Sequence, residues 1–392
     1  MLNDCRILFY VPGLDVIKHG VYFSQVFGLA RYLVDQGAQC LVVHTFYGDD
    51  AYGESVREGV VLLNCPQDTR YVPLPFLGKK LFKSVSPALE RIKAFKPTHV
   101  YVRDAFAGVG VMSFARELGA KLVFSCRGAG MAAGSKTLKD YMKEGILKWN
   151  MWRLLRRSDH ANGVCERLND HIRGFYHYHG PMSMLPCCVM SEKFEEISAE
   201  ERADCRRELD IPQDAKVVVY SGGMGWYQCT EELLELFKRL HDKDPSLVFL
   251  VLTQAMDVLK GMLAKVDLPL SCIRMRSCLP QEVARYQQSA DVGVILRKDD
   301  VLNNLASPVK IGEYLSAGLG IIVSPWIGDV GELLSREDFA LMHTSATEVD
   351  EMCNFIHSVD DEKKAHARDF ARRYYTYEGN QAAVMDMFTR MK

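Results

Sequence analysis

The sequence predicts an α/β protein made of two successive parallel sheets. Three observations carry that expectation. Short apolar runs alternate with helix-period segments along the chain, which is the signature of parallel strands joined by crossover helices. The rhythm breaks near residues 185–195 and then restarts. At 392 residues, the chain is long enough for two or three domains of about 150 residues each.

The elements follow in order. Ile7–Val11 reads as a buried strand, Pro12–Gly20 as a glycine-containing loop, and Val21–Gln36 as a helix with an apolar face at Phe23, Phe27, Ala30, Leu33 and Val34. Gly37 stops that helix, and Cys40–His44 is the next strand. Val60–Leu63, His99–Val102, Lys121–Ser125 and His160–Val164 continue the strands, with helices such as Gly108–Leu118 between them. Pro181–Met190 reads as irregular, and Glu192–Glu208 is strongly acidic. Strand Val217–Tyr220 then opens a second series: helix Thr230–His241, strands Val248–Thr253 and Ile273–Arg276, helix Gln281–Ser289, strand Val292–Leu296, helix Pro308–Ala317 and strand Ile321–Ser324. This yields a first domain over 1–188, a second over 189–370, and a C-terminal helical segment, 371–392, expected to pack back on the first.

With 48 Lys+Arg against 50 Asp+Glu the net charge is −2, and 48% hydrophobic and 25% charged residues exclude a disordered, collagen-like or coiled-coil chain. The total conceals an asymmetry. Residues 1–188 hold 24 basic and 16 acidic residues, a net of +8, which leaves 24 and 34, a net of −10, for the rest. The twelve cysteines show no C-x-x-C and no zinc-ligand spacing, which suits a reducing compartment. No secretory signal and no run of about 20 apolar residues is evident. The expected location is cytoplasmic, with a peripheral position on the inner membrane face open.

The sharpest segment is Ala306-Ser-Pro-Val-Lys-Ile-Gly-Glu-Tyr-Leu-Ser-Ala-Gly318. Ser307 suits an N-cap, Pro308 the first helical position and Gly318 the C-terminal stop. A helix starting just after strand Val292–Leu296 points its free N–H groups out of the carboxyl edge of a parallel sheet, where such an end attracts phosphate. Lys310 would add a full charge and Glu313 would lie in reach of a sugar diol. The segment reads equally well as a capped surface helix with a Lys310–Glu313 pair. Val217-Val-Val-Tyr-Ser-Gly-Gly-Met-Gly225 places glycines straight after a strand, where the backbone can approach a diphosphate. The loop ending at Gly20 is its counterpart in the first sheet, and the two loops are expected to face each other across a cleft.

These residues, with Ala290-Asp-Val-Gly-Val-Ile-Leu-Arg297, Lys121-Leu-Val-Phe-Ser-Cys-Arg-Gly128 and Leu185-Pro-Cys-Cys-Val189, resemble family 4 retaining glycosyltransferases of the GT-B fold. The resemblance covers most of residues 120–335. It implies two Rossmann-like domains, the second binding a nucleotide-sugar donor and the first an acceptor. By position, Gly222, Gly223 and the amides near Ser307, Val309 and Lys310 would approach the diphosphate. Glu313 would accept from the ribose hydroxyls, Leu279 would lie near the base, and Arg297 would contact phosphate or sugar. The sequence departs from the family pattern at three places: Leu305 stands where a first glutamate is usual, Trp226-Tyr-Gln228 where a lysine is common, and Cys126-Arg-Gly128 where many relatives place a histidine. Asn303 or Asn304 would substitute as a polar contact or serve the turn. Arg127 would meet negative charge or form a structural ion pair.

Retaining transfer needs above all a stabilised leaving group. Helix N-termini, Lys310, Arg297 and Arg127 are expected to supply this without a metal or other cofactor. The expected function is therefore transfer of a sugar from a nucleotide diphosphate, UDP favoured over GDP, to a glycan or lipid-linked glycan in polysaccharide or glycoconjugate synthesis. A nucleotide-sugar 2-epimerase and a non-catalytic nucleotide-sugar-binding subunit are the alternatives. Lys136–Arg157 carries seven basic residues against Asp140 and Glu144, with Trp149 and Trp152 interleaved, and Phe76–Lys83 is similar in kind. Such a helix fits an anionic membrane face, or its tryptophans cover the sheet as core. Nucleic acid is not an expected partner, because the acidic half would repel it and no recognition motif is present.

Overall fold

In a computed structural model the structure describes residues 2–12, 16, 20–46, 52–66, 86–103, 105–129, 137–190, 195–279 and 282–390. Most of the loop 12–20, the stretch Phe76–Lys83, Lys136 and Gln281 lie outside the described residues. The chain divides into two compact units, Met1–Cys188 with Asn380–Lys392, and Val189–Gly379.

The first unit holds β1 (Arg6–Val11), β2 (Gln39–Phe46), β3 (Gly53–Arg57), β4 (Val60–Pro66), β5 (His99–Val102), β6 (Lys121–Ser125), β7 (His160–Gly163) and β8 (Met182–Met184). Their order in the sheet is β3-β4-β2-β1-β5-β6-β7-β8. All pairings are parallel except β3 with β4. That hairpin was not expected from the sequence. Glu58 and Gly59 both take positive φ, 47° and 76°, as the tight turn matched to strand twist requires. Its strand Gly53–Arg57 is mostly exposed, so it has no apolar run to reveal it. β8 likewise falls inside the segment read as irregular. The expected helix Val21–Gln36 is helical over Gly20–Tyr22 and Gly28–Asp35, with a π-helical turn Phe23–Phe27 between.

The second unit holds β9 (Val217–Ser221), β10 (Val248–Leu252), β11 (Ile273–Arg276), β12 (Val292–Ile295), β13 (Gly320–Val323) and β14 (Ala340–Met342). They form a parallel sheet in the order β11-β10-β9-β12-β13-β14. Side chains alternate between two apolar layers, Val217 and Val219 joining one and Val218 and Tyr220 the other. The chain leaves β9 toward β10 and β11, then returns on the other side of β9 as β12, so the strand order reverses between β9 and β12. Ligands of open α/β sheets bind at such a switch point, beyond the carboxyl ends of the strands.

The segment that rejoins the first unit begins at Asn380, not at 371. The reason is burial: Ala367, Phe370 and Ala371 of helix Asp361–Tyr374 belong to the second unit's core. The following helix Gln381–Thr389 packs on β7 and β8, and His160 Nδ1 lies 2.8 Å from the Arg390 carbonyl.

Asp291, buried at the start of β12, ties the amino ends of the second sheet together. It accepts from the Val217 N–H at 3.0 Å and pairs with Arg202 at 3.0 Å, Arg206 at 3.1 Å and Lys364 at 3.3 Å. Burial alone would raise its carboxyl, but Lys364, Arg202, the Val217 amide and Arg206 outweigh it and hold the group below its ordinary value. Removing the carboxylate leaves buried cations without their counterion. Asp291→Asn is expected to cost about 3 kcal/mol in urea unfolding. Because the folded value is depressed, the wild type's advantage is full above about pH 4 and fades as pH falls through the lower folded value. An equal pH dependence in the variant would refute this.

Candidate functional site

β9 and β12 end side by side, and their continuations carry Gly222 and Arg297. Gly222 has φ 141° and donates its N–H to the Leu252 carbonyl at 2.8 Å. A Cβ there would collide with the Lys310 side chain, so only glycine lets that lysine cross the strand end. Gly223 stands open beside it, and its carbonyl accepts from the Tyr220 hydroxyl at 2.6 Å.

Lys310 lies in the first turn of helix Val309–Ser316. Its Nζ donates to Tyr220 Oη at 3.1 Å and to Gln228 Oε1 at 2.8 Å, and sits 4.2 Å from the centre of the Tyr220 ring. Arg297 is buried and donates from Nη2 to the same Gln228 Oε1 at 2.7 Å, and from Nη1 to the Leu296 carbonyl at 2.8 Å. Its backbone is pinned as well: the N–H reaches Ser324 Oγ at 3.0 Å and the carbonyl accepts from Trp326 Nε1 at 2.6 Å. Two cations thus converge on one neutral amide oxygen. Desolvation, then the nearby Arg297, push the Lys310 ammonium well below its ordinary value, against a smaller opposing pull from Glu313. Desolvation also lowers Arg297. An anion placed beside them would relieve both effects.

The helix is held over the site from its far side. Tyr314 Oη accepts from the Ser221 N–H at 2.8 Å, and Gln287 Nε2 donates to Ser221 Oγ at 2.9 Å. Tyr314 packs against Gly293 in β12, where any Cβ would meet its ring, and burial pushes its hydroxyl up to about 12. Gly318, at φ 73°, closes the helix: its N–H bonds Leu315 and the Leu319 N–H bonds Tyr314, the paired bonds of a glycine-terminated helix.

Several expectations are corrected. The N-cap is Pro308, not Ser307, and no side-chain bond caps the helix, so the amides at Val309 and Lys310 keep the free N–H groups of a first turn. The Lys310–Glu313 pair does not form, because the ammonium is drawn to Tyr220 and Gln228. Glu313 is half-buried on the same helix. Leu305 is buried, and Asn303 is spent on the turn, donating its amide to the Lys298 carbonyl at 3.1 Å. Leu279 is exposed beyond the edge strand β11, its N–H donating to Glu282 at 2.7 Å. Gly20 and Arg127 belong to the first unit, Gly20 opening a helix and Arg127 following β6. Trp149 and Trp152 are 52% and 37% exposed and stack on each other, so they are not core. Gln228, Tyr220 and Tyr314 were not singled out as site residues. The only signal was that Gln228 stands where a lysine is common.

The first unit's eight-stranded sheet and the second unit's reversing parallel sheet are the architecture of the GT-B fold. Residues 24–193 match the sequence model described as Glycosyltransferase Family 4. No curated protein sequence matches it. Among solved structures, sucrose-phosphate synthase from Thermosynechococcus elongatus superposes with a TM-score of 0.73 at 14% identity, covering 98% of this chain and 97% of that one. Anabaena HepE in complex with UDP-glucose gives 0.69 at 11%, covering 98% and 99%. WaaG, a glycosyltransferase of lipopolysaccharide biosynthesis, gives 0.66 at 11%, also covering 98% and 99%.

An unliganded site of this kind stores unfavourable electrostatics. Lys310→Met is expected to leave urea stability of the free protein unchanged or raise it by about 1 kcal/mol. The unfolded wild type binds more protons between Lys310's depressed folded value and the ordinary lysine value, so its stability rises with pH there. The variant should lack that rise. A loss of several kcal/mol would show that the lysine serves structure.

Proposed function

We propose that the chain transfers a sugar with retention from a nucleotide-diphosphate sugar, UDP favoured, to a glycan or lipid-linked glycan acceptor. The observation that carries this reading is the pair Lys310 and Arg297 on Gln228, next to a glycine turn and an uncapped helix N-terminus. That set of donors suits a diphosphate, and HepE, similar in fold, is known in complex with UDP and with UDP-glucose. In the reaction, the bond from the anomeric carbon to the diphosphate oxygen breaks and its electrons remain on that oxygen. The new bond forms to an acceptor hydroxyl, whose proton passes to the departing diphosphate oxygen. Lys310, Arg297 and the Val309 and Lys310 amides stabilise the charge that grows on the leaving oxygen, a metal-independent arrangement. Glu313 serves the ribose hydroxyls.

Calorimetry with UDP-, GDP- and ADP-sugars tests the donor. UDP is expected to bind, Lys310→Met to weaken it about 100-fold, and Glu313→Ala to weaken UDP but not inorganic diphosphate. Full transfer activity in EDTA is expected, and loss restored by a divalent ion would defeat the metal-independent reading. Buried Leu305 favours a second reading, a donor-binding subunit without turnover. It would show UDP binding and no transfer to any lipid-linked or soluble glycan.

The synthesis of a lipid-linked product is supported by helix Leu138–Arg157. Leu138, Tyr141, Met142, Trp149 and Trp152 recur at helical spacing and are exposed, with Lys143, Lys148, Arg153, Arg156 and Arg157 on the same helix. Arg156 lies 5.3 Å over the Trp152 ring. Among the described residues no helix is long and apolar enough to cross a membrane. A peripheral helix of this make-up binds anionic lipid. Co-sedimentation with anionic but not neutral vesicles at low salt is expected, falling at least severalfold in Trp149→Ser/Trp152→Ser. No binding to anionic vesicles would reject it.

A further inference from the structure

The first sheet has a switch point of its own. From β1 the chain steps to β2 on one side and later returns as β5 on the other. Beyond the carboxyl ends of β5 and its neighbour β6 stand Arg103 and Arg127. Arg127 donates from Nη2 to Tyr101 Oη at 3.1 Å, and from Nη1 to Gln25 Oε1 at 3.4 Å and Cys187 Sγ at 3.7 Å. The π-helical turn supplies Gln25, whose own amide is fixed by a 2.5 Å bond to the Cys188 carbonyl. Arg103 rests its guanidinium 4.7 Å from the centre of the Tyr22 ring. Its Nε and Nη1 are buried and have no hydrogen-bond partner among the described residues.

A structural arginine in this chain looks different. Arg206 uses its nitrogens on the carbonyls of Ser289, Pro212, Gln213 and Ala215 and on Asp291. Arg103 has an aromatic seat and a second guanidinium nearby, yet it leaves two donors unused. Burial first, and then Arg127, disfavour its charge, and among the described residues the groups that oppose them are Tyr101, Cys187 and Tyr22, none of them a carboxylate. Donors left unmade beside a second cation call for an oxyanion, which takes a guanidinium fork through paired bonds.

We infer that Arg103 and Arg127 form a phosphate subsite of the first unit, and that the acceptor carries a phosphate mono- or diester or a diphosphate. The inference deepens the transfer reading, since it names the acceptor's chemistry. The stacked Tyr22 and the tethered Gln25 hold the two guanidiniums in place, so the subsite is preorganised.

Inorganic phosphate is the probe, titrated calorimetrically into the full chain with UDP saturating. Phosphate is expected to bind in the presence of UDP. Arg103→Met should weaken it tenfold or more, on the order of one lost charge-assisted contact, while UDP affinity stays as in wild type. Arg103→Lys, which keeps charge without the fork, should fall between them and serves as the readout if the methionine variant does not fold. Equal phosphate affinity in wild type and variant overturns the proposal. So does phosphate binding that vanishes under UDP, because the anion was then in the donor site, or no phosphate binding by protein that binds UDP. If UDP fails to bind but phosphate binds and depends on Arg103, the subsite stands and the donor reading falls. A soluble hexose phosphate and a polyprenyl diphosphate in micelles, compared in the same way, distinguish a free from a lipid-borne source.

Discussion

One amide oxygen, Oε1 of Gln228, receives both Lys310 and Arg297, and the second unit's chemistry depends on that junction. Two like charges do not gather in a desolvated place unless the fold forces them together. Here the forcing groups are identifiable. Gly222 gives Lys310 its passage across the end of β9, Gly293 gives Tyr314 room to pin the helix, and Ser324 and Trp326 fix the Arg297 backbone from the segment just after β13. A neutral acceptor orients both cations without cancelling them, as a carboxylate at position 228 would. The electrostatic work is done before a ligand arrives, so it need not be done in the transition state.

The same two strands end in opposite electrostatic states. At their amino ends, Asp291 gathers Arg202, Arg206, Lys364 and a backbone amide around one carboxylate, which gives each cation an anionic partner and ties helices Ala199–Glu208 and Asp361–Tyr374 to β9 and β12. At their carboxyl ends two cations share no carboxylate among the described residues. Residues at the first end serve stability, and those at the second are the ones proposed to bind the donor.

Much of this was legible because parallel strands buried on both faces read as continuous apolar runs, and eleven such runs lie on observed strands. β3, β8 and β14 lacked that signal, the first being exposed and the other two only three residues long. The segment around Lys310 was readable because glycine and proline punctuate it. Its details were not: which of Ser307 and Pro308 caps the helix turns on a single residue of register, and the direction of the Lys310 side chain on the Tyr220 ring, which no local pattern encodes. Tyr220 itself looked like one more apolar residue of a strand. Its hydroxyl matters only because Gly223 and Lys310 meet it in three dimensions. The tryptophans of helix Leu138–Arg157, read as either membrane-facing or core, were left undecided for a related reason. Composition says that a face is amphipathic, but the opposite face, with Met151, Leu154 and Leu155, is the one the sheet buries.

The uneven charge of the sequence takes on a physical meaning from these placements. The acidic stretch of net −10 cannot attract an anion through a broad field, so the proposed donor recognition there would rest on Lys310 and Arg297, which are desolvated and therefore little screened by salt. The basic stretch of net +8 displays lysines and arginines at the surface along one helix, where salt screens them strongly over about 8 Å at physiological ionic strength. Two kinds of electrostatics thus coexist in one nearly neutral chain. Buried cations supply strength and geometry at a point, while exposed ones supply attraction over a surface. Ionic strength separates them, because it weakens the second kind while leaving the first nearly intact.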